Sequence, residues 1–172
     1  MALLAAACEP VTDGSESETA VPAASATATA TPGPLPGVTL PPCTWAKVTR
    51  VVDGDTVDVD LAGATKRVRY IGMDTPEVYG GVEPFGREAS ALNTEIVMGK
   101  QVCLEKDVSE VDRYQRLLRY IWLPDGRMVN EELLLAGLAT VSTYPPDVKY
   151  TQPRFLAAQK KARDERRGIW AP

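Results

Sequence analysis

Apolar and polar residues alternate with a period of two from Trp45 to Val52, break at Asp53-Gly54-Asp55, and alternate again from Thr56 to Leu61. The pattern predicts a strand, a tight turn and a second strand, each with one buried face. After Ala62-Gly63-Ala64, residues 66 to 71 supply a third strand, so residues 45 to 73 read as a meander. The period changes between Arg87 and Met98, where Ala89, Leu92, Ile96 and Val97 fall on one side of a helix that Gly99 ends. Residues 101 to 105 return to strand, and a charged loop from Asp107 to Arg113 leads to a fifth strand over 117 to 123, closed by the turn Pro124-Asp125-Gly126. Asn130 is placed to cap a short helix over 131 to 136 that Gly137 ends. A last amphipathic helix runs from about Pro153 to Arg167, with Phe155, Leu156, Ala162 and Trp170 turned inward. Five strands interrupted by one helix and followed by two more predict a small closed Greek-key β-barrel with helices packed on it, an α+β fold.

Upstream of this pattern the composition shifts. A chain of 172 residues that is 44% apolar supports one core and an appendage. From Glu9 to Pro42 the chain is mostly Ala, Thr, Ser, Pro and Gly, too poor in large apolar side chains to offset its ordering entropy. Residues 9–42 are therefore expected to be a disordered tether, stiffened at its Pro-rich end, with the globular domain spanning 43–172. Residues 1–8, MALLAAAC, resemble the truncated end of a bacterial lipoprotein signal that finishes at Cys8, with alanine three before the cysteine where leucine is typical. That reading makes Cys8 a lipidation site and the protein an exported bacterial one, held at the cell surface or secreted; the alternative is an ordinary flexible amino terminus. A membrane would then be a partner only through the lipid.

Charge and missing residue types narrow the chemistry. All 19 Lys and Arg lie at Lys47 or later, facing 19 of the 23 acidic residues, so the globular part is neutral and any polyanion site is a local cluster. There is no histidine, which removes the usual general base, the common serine and cysteine hydrolase triads and every histidine metal site. If Cys8 has a separate fate, Cys43 and Cys103 remain. An oxidising exterior favours a structural disulfide between them, and two buried free thiols are the alternative.

Within that frame three runs stand out: Asp53-Gly54-Asp55, Arg67-Val68-Arg69 and Asp74-Thr75-Pro76-Glu77. Carboxylate oxygens suit a hard cation, calcium or magnesium, and a guanidinium fork matches phosphate oxygens in pairs. Taken singly each run has a plainer account: Asp-Gly-Asp is ordinary turn chemistry, strand arginines are mostly solvated, and Asp58 and Asp60, alternating with Val57 and Val59, read as a solvated strand face. A second basic run, Arg113-Tyr114-Gln115-Arg116, becomes a phosphate clamp only if the fold brings it to the acids.

The runs VVDGDTV, RVRYIGMDTPE, FGREAS, DRYQRLLRYIW, GRMVNEELLLAGLA and RRGIW occur in the order in which they occur in the thermonuclease, or staphylococcal nuclease, family, and the chain resembles that family over about residues 45 to 170. The resemblance implies a five-stranded OB-type barrel with three α-helices. It implies that Asp55, Asp74 and the Thr75 carbonyl hold calcium, that Arg69 and Arg116 grip the scissile phosphate, and that Glu77 is the general base. Asp53 would lie just outside the metal shell, and Arg113 and Tyr114 would contact a terminal phosphate. The implied activity is calcium-dependent, largely non-specific hydrolysis of DNA and RNA to 3′-phosphate ends by a monomer. The rival is a non-catalytic surface module that binds nucleic acid or protein, and a third reading makes the barrel a scaffold. Three departures bear on substrate contact: Gln115 stands where glycine is usual, the loop after Glu77 is about three residues shorter, and only Tyr144 offers a counterpart to the family's base-stacking tyrosines.

Overall fold

The computed structural model describes residues 32–172. The lipidation reading of Cys8, residues 1–8 and most of the tether lie outside the described residues. Seven strands and three α-helices follow in chain order: β1 (Thr44–Val51), β2 (Thr56–Leu61), β3 (Ala64–Tyr70), β4 (Met73–Asp74), α1 (Gly86–Val97), β5 (Gln101–Glu105), β6 (Leu117–Trp122), α2 (Val129–Leu135), β7 (Thr140–Val141) and α3 (Leu156–Asp164). Five strands close a barrel in the order β1-β2-β3-β6-β5, with β3 and β6 parallel and the other neighbours antiparallel. The short β4 and β7 pair with each other, Asp74 opposite Thr140.

Period-two alternation builds this barrel because each strand turns one face to a closed interior. Val48, Val57, Val59, Val68, Val102 and Ile121 are fully buried there. Cys43 and Cys103 form a disulfide that joins the residue before β1 to the middle of β5, with Cα atoms 5.5 Å apart. Packing begins upstream of Cys43: the Leu35 amide donates to the Pro124 carbonyl at 2.9 Å, and Leu40 packs on the core. Among the described residues no helix is long and apolar enough to cross a membrane.

Four local expectations are corrected. Asn130 does not cap α2, whose N-cap is Met128. It is buried inside the helix, donating to the Ile71 carbonyl at 3.0 Å and accepting the Ile121 amide at 2.9 Å, because the ends of β3 and β6 leave those groups unmet. The last helix is broken into a π-type turn, Thr151–Phe155, with extended backbone at Gln152, then α3, then a 3₁₀ turn, Gly168–Trp170. The break turns Leu156 outward while Phe155 and Ala162 stay buried. Asp58 is not solvated: it is buried under Arg67, which donates to it through Nε at 2.7 Å and Nη2 at 3.1 Å.

Candidate active site

The turn between β1 and β2 is shaped by its own carboxylates. Asp53 Oδ1 accepts the Asp55 amide at 3.0 Å, an Asx turn. Asn93, on the buried face of α1, donates to the Asp53 carbonyl at 3.0 Å and accepts the Tyr70 hydroxyl at 2.9 Å, so helix, turn and β3 are tied together. Asp55 points inward and is 5% exposed. Its Oδ2 accepts the amide and the hydroxyl of Thr75 at 2.9 and 3.0 Å, and its Oδ1 accepts the Thr56 hydroxyl at 3.1 Å. Gly54 permits this contact, since a Cβ there would lie 2.6 Å from the Thr75 hydroxyl oxygen.

Burial, and then the charge of Asp55, push the Asp53 carboxyl up from 3.8 to about 6. The folded protein thus binds that proton more tightly than the unfolded chain does. Stability from Asp53 is full below pH 3.8 and is lost as pH rises through about 6. In calcium-free buffer Asp53→Asn, which keeps an acceptor for the Asp55 amide, should be more stable than the parent at about pH 8, with the gap closing toward pH 4. Urea midpoints across that range measure it, and a gap that widens on acidification would contradict the assignment.

Arg69 reaches from β3 to both acids. Its Nη1 makes an ion contact with Asp55 Oδ2 that is not aligned as a hydrogen bond, and its Nη2 donates to Asp74 Oδ1. One guanidinium therefore sits between an inward carboxylate and an outward one, the side chain of Asp74 being 54% exposed. Glu77 lies three residues on, in a loop closed by two hydrogen bonds: its amide donates to Glu83 Oε2 at 3.0 Å, and its carbonyl accepts the Glu83 amide at 2.9 Å. Gly86, opening α1, lets this loop lie close, because a Cβ there would stand 2.6 Å from the Glu77 carbonyl oxygen. The Glu77 carboxylate is exposed and forms no ion pair among the described residues.

The second basic run is organised by Asp112, which sequence reasoning missed. Its Oδ1 accepts the amides of Tyr114 and Arg116 at 2.8 and 3.0 Å, and its Oδ2 accepts Arg116 Nε at 2.7 Å. Burial opposes ionisation, but the hydrogen bonds from Arg116 and Tyr114 hold the Asp112 carboxyl below its ordinary range. Gln115 adopts φ 64°, the left-handed region in which glycine is free of strain. Arg116 keeps its Asp112 partner all the same. Gln115→Gly should raise stability by about 1 kcal/mol, the left-handed strain less the entropy of glycine, as read by thermal unfolding.

The two runs meet. Arg69, Arg113, Tyr114, Arg116, Tyr144 and Asp147 line one cleft of about 500 Å³. Its far wall, the segment around Tyr144, is stitched to the charged loop that precedes Arg113: Asp147 Oδ1 accepts the Val108 and Ser109 amides at 2.9 and 2.8 Å, and Asp107 Oδ2 accepts the Lys149 amide at 2.9 Å. Beneath it Glu105, 1% exposed, accepts Trp122 Nε1 at 2.6 Å and the Tyr150 hydroxyl, and pairs with Lys149. None of these anchors was anticipated.

The donors also bear on a metal. Among the described residues no three His, Cys, Asp or Glu side chains converge, so the site offers two carboxylates, Asp55 from the β1–β2 turn and Asp74 from β4. The Arg69 guanidinium already places positive charge between them. Two carboxylates completed by backbone oxygen and water suit a hard cation such as calcium, which accepts a mixed oxygen shell.

Comparison with known proteins places the chain among relatives. A sequence model of the family described as staphylococcal nuclease homologue matches residues 67–172. The chain is 44% identical over 128 residues to a thermonuclease of Staphylococcus hyicus, covering 73% of this chain and 75% of that protein. It is 42% identical over 128 residues to a thermonuclease of Staphylococcus intermedius, covering 72% and 74%. It is 39% identical over 127 residues to endonuclease YncB of Bacillus subtilis, covering 71% and 59%.

Proposed function

From the staphylococcal nuclease homologue family, to which this chain belongs, we infer that the protein is a hydrolase, a nuclease, and we propose that it is calcium-dependent and cleaves DNA and RNA to 3′-phosphate ends. The observation that carries this reading is that Arg69 and Arg116, from distant segments, line one cleft while Arg69 is held between Asp55 and Asp74. Asp55, Asp74 and the Thr75 carbonyl are the proposed calcium ligands; the bound ion supplies Lewis-acid withdrawal of charge from a phosphate oxygen.

The chain's own residues do the remaining work. Arg69 and Arg116 neutralise the charge that builds on the equatorial phosphate oxygens, and the Asp112 contacts fix the approach of Arg116. Glu77, exposed and without an ion pair among the described residues, takes a proton from the attacking water as the water oxygen bonds to phosphorus; the bond to the 5′ oxygen breaks, and that oxygen gains a proton from solvent to leave as the 5′-hydroxyl. Arg113 and Tyr114 contact a terminal phosphate of the bound nucleotide. We propose further that the protein is an exported monomer, with residues 43–172 as the nuclease domain on a tether and Cys8 carrying lipid.

The test is digestion of DNA and RNA in calcium and then in chelator, beside Glu77→Ala. Products should carry 5′-hydroxyls that a polynucleotide kinase labels directly. Calcium-independent cleavage, or ends bearing 5′-phosphate, would overturn the proposal, and absence of any cleavage would favour the binding-module rival. Mass spectrometry of the native protein decides whether Cys8 is lipidated.

A further inference from the structure

Beside the cleft of Arg69 and Arg116 runs a second one of about 410 Å³, lined by Asp58, Thr65, Arg67, Tyr114, Gln115 and Arg116. Tyr114 and Arg116 line both. Tyr114 is 63% exposed, and its ring is flanked by the guanidinium carbons of Arg113 at 4.7 Å and Arg116 at 5.4 Å, which makes it a platform of the kind on which bases stack. A strand lying across that ring passes from one cleft into the other.

In the second cleft Arg67 is built as an anion receptor. Asp58 holds it through Nε and Nη2, which leaves Nη1 without a hydrogen-bond partner among the described residues on a guanidinium that is already held. Such a fork loses little rotamer freedom on taking a second partner. Arg50 also approaches Asp58, at 4.0 Å, so two arginines share one carboxylate. Arg67 and Arg69 occupy the same outer face of β3 while Val68 between them is buried. Two residues along a strand span about 6.7 Å, close to one nucleotide step of an extended single strand.

The geometry points to a second phosphate subsite at Arg67, with Thr65 and Gln115 at its rim, for the phosphate next to the scissile one in a single-stranded polynucleotide. This rests on the nuclease reading. Together the two clefts suit a polymer better than a dinucleotide.

The experiment compares KM for a single strand of about 20 nucleotides with KM for a dinucleotide in the parent, Arg67→Ala and Thr65→Glu. Each variant should raise KM for the long strand about fivefold more than KM for the dinucleotide, the share of one partly exposed ion pair. Arg67→Ala should also reduce the salt slope for the long strand by about 0.7, one phosphate contact on single strands. Thr65→Glu leaves the Asp58–Arg67 pair in place, so it carries the test if Arg67→Ala weakens the fold. Equal shifts on both substrates, or an unchanged salt slope in a folded Arg67→Ala protein, would overturn the subsite. If the parent cleaves neither substrate the nuclease reading has failed, and calcium-free anisotropy with the labelled long strand still reads the subsite: weaker binding by Thr65→Glu supports it, and equal binding overturns it.

Discussion

Arg69→Ala is expected to lower kcat/KM on DNA by about a thousandfold, the scale of losing a guanidinium that stabilises transferring phosphoryl charge. The same substitution should lower stability in chelator by about 3 kcal/mol, because Asp55, with only 7% of its side chain exposed, would be left as a nearly buried charge without its cation. Calcium gives the second effect a distinctive signature. In the parent, an ion entering between Asp55 and Asp74 must displace the guanidinium that bridges them. In Arg69→Ala it meets no such competitor, so calcium should raise the variant's unfolding temperature by more than it raises the parent's. Calorimetry with and without calcium, beside steady-state kinetics, decides both points. A variant that keeps a tenth of the parent's activity would remove Arg69 from the chemistry, and equal calcium shifts would remove Asp55 and Asp74 from the metal.

Replacing Cys43 and Cys103 by serine should cost about 4 kcal/mol, the chain-entropy value for a cross-link closing a loop of this length; the two cysteines are 60 residues apart. For a domain of ordinary stability that is a large fraction of the total. Neither cysteine lines either cleft, so activity at low temperature should survive in the fraction that remains folded. Urea unfolding of the double variant against the oxidised parent measures the loss. A difference below about 1 kcal/mol would mean that the β1–β5 hydrogen bonds hold that seam of the barrel without covalent help.

The barrel was legible because its signal is local. Val57, Val59 and Val68 alternate with polar neighbours and lie inside, as a period of two requires. The expected helix over 87 to 98 is found as Gly86–Val97 for the same reason at a period near 3.6. Strands β4 and β7 escaped notice because two residues carry no period, yet their pairing sets Asp74 opposite Thr140. Asp58 misled because alternation reports which side a residue faces and not what covers that side; the cover is Arg67, nine positions away in the chain. The site was legible in part: the DGDT and DTPE runs named the acids, whereas the partners that aim the arginines, Asp112 and the stitches at Asp107 and Asp147, are non-periodic contacts between loops. Such contacts have no spacing to read.

The position of the disulfide has a mechanical consequence. Cys43 is the last residue before β1, and its partner lies inside β5 between Val102 and Leu104, both at most 2% exposed. Tension entering through the amino-terminal segment first draws on the Leu35 hydrogen bond to Pro124 and then reaches the covalent link before any hydrogen bond of β1. Force is thereby delivered to the middle of a buried strand instead of prying at the first residues of β1. A barrel gripped there can be tugged by whatever holds its leading segment while β1, and the acidic turn that follows it, keep their shape.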